Sequence, residues 1–242
     1  MSPNKNTRAF LQRISTPNPY AFAICPILGC GRPSQARAGK GASVIHCDRC
    51  VRHKNRHGDF VKATYTATQF RPYRLSVERY LKTIPDDRYI AHAELGLEVL
   101  LEEAGPVHRV ADYPMLRPEQ KAKSVLARMK RGGVSVRRLL VLALAVSAIV
   151  KDDPIRPMGT PGEFRLMQLG KRCLRLRGCS GYHAVYGPHG RYDRYPRSAG
   201  LFVRCLGKLV EDACDSALIH LDTILEAKQA AFGAAPIPQH LL

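Results

Sequence analysis

Residues 139–150 read LLVLALAVSAIV, an aliphatic run of 12 residues broken only by Ser147. A membrane-spanning helix needs about 20 such residues, so this run is too short to cross a bilayer. Being apolar on nearly every side, it is expected to form the buried central helix of a helical body. Ser135 stands where a cap is needed, and Asp152-Asp153-Pro154 stops the helix. The preceding KRGGVSVRRLL has the glycine turn of a helix-turn-helix. A recognition helix must offer polar side chains to base edges, and this one offers only Arg137 and Arg138 before turning aliphatic. A buried centre is the better reading, with Arg137 and Arg138 kept as phosphate contacts at its first turn.

On both sides the pattern stays helical. One helix is expected from about Tyr73 to Lys82, after an extended linker, 63–72, that ends at Pro72. Another follows Asp87 as N-cap, carries Ile90, Ala93, Leu97, Leu100 and Leu101 at helical spacing, and stops at Gly105-Pro106. A third runs from Pro118 to Arg131 and a fifth from about Gly162 to Arg177. Residues 178–197 form a basic loop, and a long last helix extends from near Ser198 to about Phe232. Its apolar stripe includes Phe202, Leu206, Leu209, Ala213, Ala217, Leu221 and Ile224, while Glu211, Asp212, Asp215, Asp222 and Glu226 make the rest acidic. Such a helix either closes the bundle or pairs with a copy of itself, so a homodimer through 198–232 is an expectation. The fold class is mainly α: a polar arm at 1–24, a four-cysteine zinc knuckle at 25–62, and a bundle of five to six helices at 73–242.

Charge narrows the partner. Lys plus Arg number 38 against 20 Asp plus Glu, a net +18 on 45% hydrophobic residues, too apolar for a disordered chain. Residues 1–82 hold 15 basic and 3 acidic side chains, and residues 118–200 hold 17 and 5. The segments between and after them are net acidic. Two concentrated basic blocks suit a polyanion whose phosphates release counterions on contact. The N-terminus lacks the apolar stretch of a secretory signal, so a reducing cytoplasm is expected and the cysteines are read as thiols or metal ligands.

The strongest chemical pattern is Cys25-x4-Cys30-x16-Cys47-x2-Cys50. Two close pairs on two short turns can place four thiolates tetrahedrally around one Zn²⁺, leaving no position open for water. The segment is poor in aliphatics, so its folding free energy is expected to come from the metal. His46, His53 and His57 are candidate substitutes, but the four cysteines already complete the shell. Arg49, Arg52, Lys54 and Arg56 place positive charge beside the second pair, with Arg32, Arg37 and Lys40 in the turn before it.

The stretch CPILGCGRPSQARAGKGASVIHCDRCVRHKNRHGDF, residues 25–60, resembles a small zinc finger of bacteriophage and mobile-element proteins. That family carries a Cys-x4-Cys knuckle, then Arg-Pro, an Ala-Arg-Gly turn, Cys-x2-His and a terminal Gly-Asp. Cys25, Cys30, Gly31-Arg32-Pro33, Ala36-Arg37, Cys47 and Gly58-Asp59 match it. Cys50 stands where the family usually has His, and the loop before Cys47 is longer. The resemblance implies zinc and DNA contact, not a reaction. The remainder of the chain is more vaguely similar to uncharacterised phage or integrative-element proteins.

Further phosphate contacts are expected from a basic face on the fifth helix, where Arg165, Gln168, Arg172 and Arg175 flank a core stripe and Lys171 lies beside them. In the following loop Arg191, Arg194 and Arg197 interleave with tyrosines. A nuclease is the natural enzyme alternative. The interval between the cysteine pairs, however, offers His46 without an acidic neighbour, and Glu98, Glu102 and Glu103 read as a solvated helix face. The expectation is non-enzymatic binding to duplex DNA in preference to RNA. A zinc-targeted endonuclease and an RNA-binding or ribosome-associated factor are the alternatives.

Overall fold

Every residue from Leu139 to Ile149 is buried in the computed structural model of the chain, which describes residues 24–34, 45–108, 112–176, 184–187, 190–193 and 200–234. The elements in chain order are α1 (Asp48–His57), α2 (Ala67–Thr83), α3 (Arg88–Glu102), α4 (Pro118–Arg131), α5 (Val136–Asp152) and α6 (Pro161–Cys173). A two-stranded antiparallel hairpin follows, β1 (Ala184–Gly187) with β2 (Gly190–Asp193), then α7 (Leu201–Ala213), a 3₁₀ helix (Asp215–His220) and α8 (Leu221–Phe232). The chain divides into two units, Met1–Asn55 and Arg56–Leu242.

In the second unit α5 is the central helix, packed against α2, α3 and α6. Leu139, Leu140 and Leu144 are fully buried. Each such side chain contributes about 1.5–3 kcal/mol by leaving water. The caps fall where the sequence puts them. Ser135 Oγ accepts from the Arg138 N–H, and Asp87 Oδ1 accepts from the N–H groups of Tyr89 and Ile90 at 2.9 and 3.0 Å.

The linker expectation is corrected: α2 begins at Ala67, and Pro72 lies inside it. Thr66 and Gln69 close a reciprocal capping box at 3.2 and 2.9 Å, while Phe70 and Tyr73 bury their rings. Cap and burial together offset the backbone hydrogen bond that Pro72 cannot make. The single last helix is also corrected. At Cys214 the chain tightens to i→i+3 hydrogen bonds, because the segment is pinned to the start of α3. Ser216 Oγ donates to the Tyr89 carbonyl, and His220 contacts Asp87 Oδ1 at 3.1 Å and Tyr80 Oη at 2.9 Å. The bend lets Ala217 and Ile224 reach the core. Within the expected loop 178–197, the described residues form the hairpin.

Helices α6 and α7 approach most closely where each carries a glycine. A Cβ on Gly170 would lie 2.0 Å from the Val203 carbonyl oxygen, and one on Gly207 would lie 2.0 Å from that of Leu166. Around this crossing Arg165 forms a bidentate pair with Glu211, and Arg204 pairs with Glu163. At the C-terminal end of α5, where negative charge is unfavourable, Asp152 and Asp153 each acquire a lysine. Lys228 lies 2.7 Å from Asp152, and Lys62 lies 2.6 Å from Asp153. Tyr73 and Tyr65 donate their hydroxyls to the same two carboxylates. Among the described residues no helix is long and apolar enough to cross a membrane.

Candidate metal centre and an arginine-lined groove

The first unit is built around sulfur. The Cys25 N–H donates to the Arg32 carbonyl at 2.8 Å and the Cys30 N–H to that of Ile27 at 2.9 Å, folding the first pair into a tight knuckle. Gly29 and Gly31 take positive φ within it. The second pair is set by a helix. The Cys47 carbonyl, just before α1, accepts the N–H of Val51 at 3.1 Å, and Cys50 lies in the first turn of α1.

The four Sγ atoms of Cys25, Cys30, Cys47 and Cys50 lie within 4.8 Å of one another, and Cys30 is 3.5 Å from both Cys47 and Cys50. Disulfide sulfurs sit about 2.05 Å apart, so these are thiols. A tetrahedral metal with bonds of about 2.3 Å to sulfur, the length zinc makes, requires edges of about 3.8 Å, and the cluster matches that size. Cys25, Cys47 and Cys50 are buried and Cys30 is half-buried. Burial opposes ionisation of Cys47, but the Cys50 backbone N–H and the neighbouring thiols outweigh it and bring the group to about 7. Burial and the surrounding sulfurs push Cys50 the other way, upward. The cluster can hold a metal ion, and its donor set is closed.

The histidines are not part of it among the described residues. His57 instead accepts the Thr64 N–H at Nδ1, 3.0 Å away, pinning the segment after α1. Gly58-Asp59, matched above to the end of the zinc finger, has a packing role here. A Cβ on Gly58 would meet Met167 Cβ at 2.7 Å. Asp59 is fully buried, and its carboxylate accepts from the N–H groups of Val61, Lys62 and Gly159. Burial raises its pKa, yet these donors, together with the Phe60 N–H, hold it below the ordinary carboxylate range.

The expected phosphate contacts separate into groups. Arg32 is exposed on the knuckle. Along α1, Arg49, Arg52 and Arg56 are exposed at helical spacing, and Lys54 is half-buried. Arg52 pairs with Asp48 at 2.6 Å. Arg37, Lys40, Arg194 and Arg197 lie outside the described residues, and Arg191 belongs to β2, of which the backbone is described.

The solvent-facing basic face of α6 is corrected. Gln168, Lys171 and Arg172 are buried, and Arg165 is engaged by Glu211. The reason lies in residues 57–66, a stretch largely without regular structure whose backbone groups need partners. Gln168 accepts the Tyr65 N–H and donates to the His57 carbonyl. Lys171 donates to Thr64 Oγ1 at 3.0 Å. Arg172 donates to the carbonyls of Tyr65 and Thr66 at 2.7 and 3.1 Å, with its guanidinium over the Phe70 ring. Burial pushes Lys171 down to about 8, helped by Arg56 and Arg175, and Arg172 down to about 10, helped by Arg175.

Arg172 also lines a groove of about 760 Å³ bounded by α2, the first two turns of α5 and the end of α6. Six arginines border it: Arg71, Arg74, Arg137, Arg138, Arg172 and Arg175. Four of these were expected as phosphate contacts from separate helices, and the fold brings them together. Arg71 and Arg74 were missed, because the linker assigned to 63–72 separated Arg71 from the helix that carries Arg74. Their spacing of three residues on one helix face was the available signal. Comparison with protein-family models, curated proteins and solved structures returned no match.

Proposed function

We propose that this protein binds duplex DNA without catalysing a reaction on it, through a segment held by one structural zinc ion. On this reading it serves as an accessory or regulatory factor of a phage or mobile element. The observation that carries the reading is the position of Cys50 in the first turn of α1, the helix that exposes Arg49, Arg52 and Arg56. A metal bound at the cluster fixes the start of that helix and so orders its cationic face. Four thiolates suit zinc, and a closed shell leaves no site for an activated water. The resemblance to the phage and mobile-element zinc finger and the net charge of +18 support the same partner.

The test has two parts. The purified chain contains about one equivalent of zinc. Replacing Arg49, Arg52, Lys54 and Arg56 by alanine weakens duplex binding and flattens its salt dependence, the log–log slope falling by about 0.9 for every phosphate no longer neutralised. Less than about half an equivalent of zinc, or a variant with unchanged affinity and slope, contradicts the proposal. Metal-dependent cleavage of a plasmid favours the endonuclease alternative, and preference for structured RNA at equal salt favours the RNA-binding one.

A further inference from the structure

We infer that the groove between α2, the first two turns of α5 and the end of α6 is a nucleotide site. Its arginines take the phosphate of a single unpaired nucleotide, and its apolar floor takes the base. The inference goes beyond duplex binding and stands independently of it.

Charge is the first ground. Of the six arginines around the groove, Arg74 is paired with Glu78 at 2.6 Å, the one carboxylate lining it among the described residues. Arg137 pairs with Glu94 at 2.7 Å. No carboxylate among the described residues pairs with Arg71, Arg138, Arg172 or Arg175. Like charges gathered in a concavity with low-dielectric walls repel one another and focus a field that an anion relieves.

Preorganisation is the second. Arg172 is buried, anchored by two backbone carbonyls, and stacked 4.2 Å from the Phe70 ring centroid. Arg137 is fixed by Glu94 and by the Leu81 carbonyl. Two guanidiniums are therefore held in place before any ligand arrives, which lowers the entropy cost of binding. Arg71, Arg138 and Arg175 are exposed and free to close on a phosphate. Ser135, the cap of a 17-residue helix, also borders the groove, so the positive end of the α5 dipole adds to the field.

Shape and lining are the third. A volume of about 760 Å³ lies in the small-ligand range, and a duplex is too wide to enter it. Phe70, Val141, Leu142 and Leu176 supply an apolar floor. Bare phosphate has no use for such a floor, whereas a base does. A free nucleotide and one unit of an unpaired strand present this chemistry equally.

The experiment uses the zinc-loaded full chain and three ligands: ATP, a short single-stranded oligothymidylate, and inorganic triphosphate. Binding is compared with that of the Arg71→Ala/Arg138→Ala/Arg175→Ala variant, whose three positions are exposed and carry no ion pair, with helicity and zinc content as controls. ATP or the oligonucleotide binds the wild type and raises its melting temperature. The variant binds at least about tenfold more weakly, with a salt slope reduced by about 0.7 for each strand phosphate it no longer neutralises. ATP alone binding identifies a free nucleotide as the source, and the oligonucleotide alone identifies an unpaired strand. The inference is overturned if neither binds, if the variant binds as well as the wild type, or if triphosphate binds as tightly as ATP. Duplex affinity measured on the same samples tests the DNA-binding proposal separately, because that proposal rests on α1.

Discussion

The two units bury different groups: mostly sulfur in the knuckle, mostly hydrocarbon in the helical body. In the knuckle the sulfurs of Cys25, Cys47 and Cys50 point inward, while Ile24, Leu28 and Ile45 stand 68%, 91% and 57% exposed. In the helical body the buried side chains are mostly aliphatic and aromatic, Leu139, Leu140, Leu144 and Phe164 among them, although Leu95, Met115 and Ile219 stand exposed. On the proposed zinc reading, the difference reflects two sources of folding free energy in one chain. A segment whose buried side chains are chiefly three cysteines and Ile27 has little apolar area to remove from water. On that reading it depends on what the sulfur binds, whereas the body depends on burial.

Removing the metal is expected to have the largest effect. Structural zinc supplies roughly 10–16 kcal/mol in comparable peptides, which a segment this short cannot replace by burial. Cys25→Ser or Cys47→Ser unfolds the knuckle and leaves the helicity of the body intact, as read by circular dichroism and limited proteolysis. Collapse of the whole chain would erase the contrast between the units.

The converse break lies at the α6–α7 crossing. Gly207→Leu forces side-chain atoms into the Leu166 carbonyl, and the body loses more than about 4 kcal/mol, in the range reserved for gross steric conflict. Zinc content stays unchanged. Leu144→Ala, which leaves a cavity in the centre of the body, is milder at about 2–5 kcal/mol. Urea unfolding monitors both.

Acid sharpens the comparison more gently. Asp59 and Asp152 are buried or half-buried, and each has its folded pKa depressed: Asp59 by backbone N–H donors against burial, Asp152 by Lys228 and Tyr73 against burial. A depressed carboxylate contributes stability that is complete above its ordinary value of 3.8 and is lost as pH falls through the folded value. The stabilisation from these two carboxylates is therefore lost only below about pH 4, the ordinary carboxylate range. Thiolate ligands compete with protons, so a zinc ion held as proposed is expected to leave the knuckle at higher pH than that. Acid titrations of zinc release and of helicity should separate in this order. At the small end, Arg52→Ala breaks an exposed i,i+4 pair and changes stability by less than about 0.5 kcal/mol.

Sequence alone revealed what depends on neighbours in the chain. The ligand spacing of Cys25, Cys30, Cys47 and Cys50, the caps at Asp87 and Ser135, and the bounds of α4 and α5 all rest on local chemistry. What it did not reveal depends on distant partners. Pro72 argued against a helix until the ring burial of Phe70 and Tyr73 outweighed it. The break at Cys214 exists because His220 reaches Asp87, 133 residues away in sequence. Arg172 and Lys171 carry the charges of a surface face, yet they turn inward because the carbonyls and hydroxyl of Thr64–Thr66 need donors. The arginine groove draws on three helices, and no single segment of sequence contains it.

The most direct test of a metal-held unit beside a burial-held one is backbone hydrogen exchange, measured segment by segment on the full chain with zinc bound and with zinc stripped by a chelator. Residues 24–34 and 45–55 are expected to lose their protection when the metal leaves, while the amides of α5 exchange as slowly as before. Unchanged protection in the knuckle, or loss of protection in α5 together with it, would contradict that division of the chain.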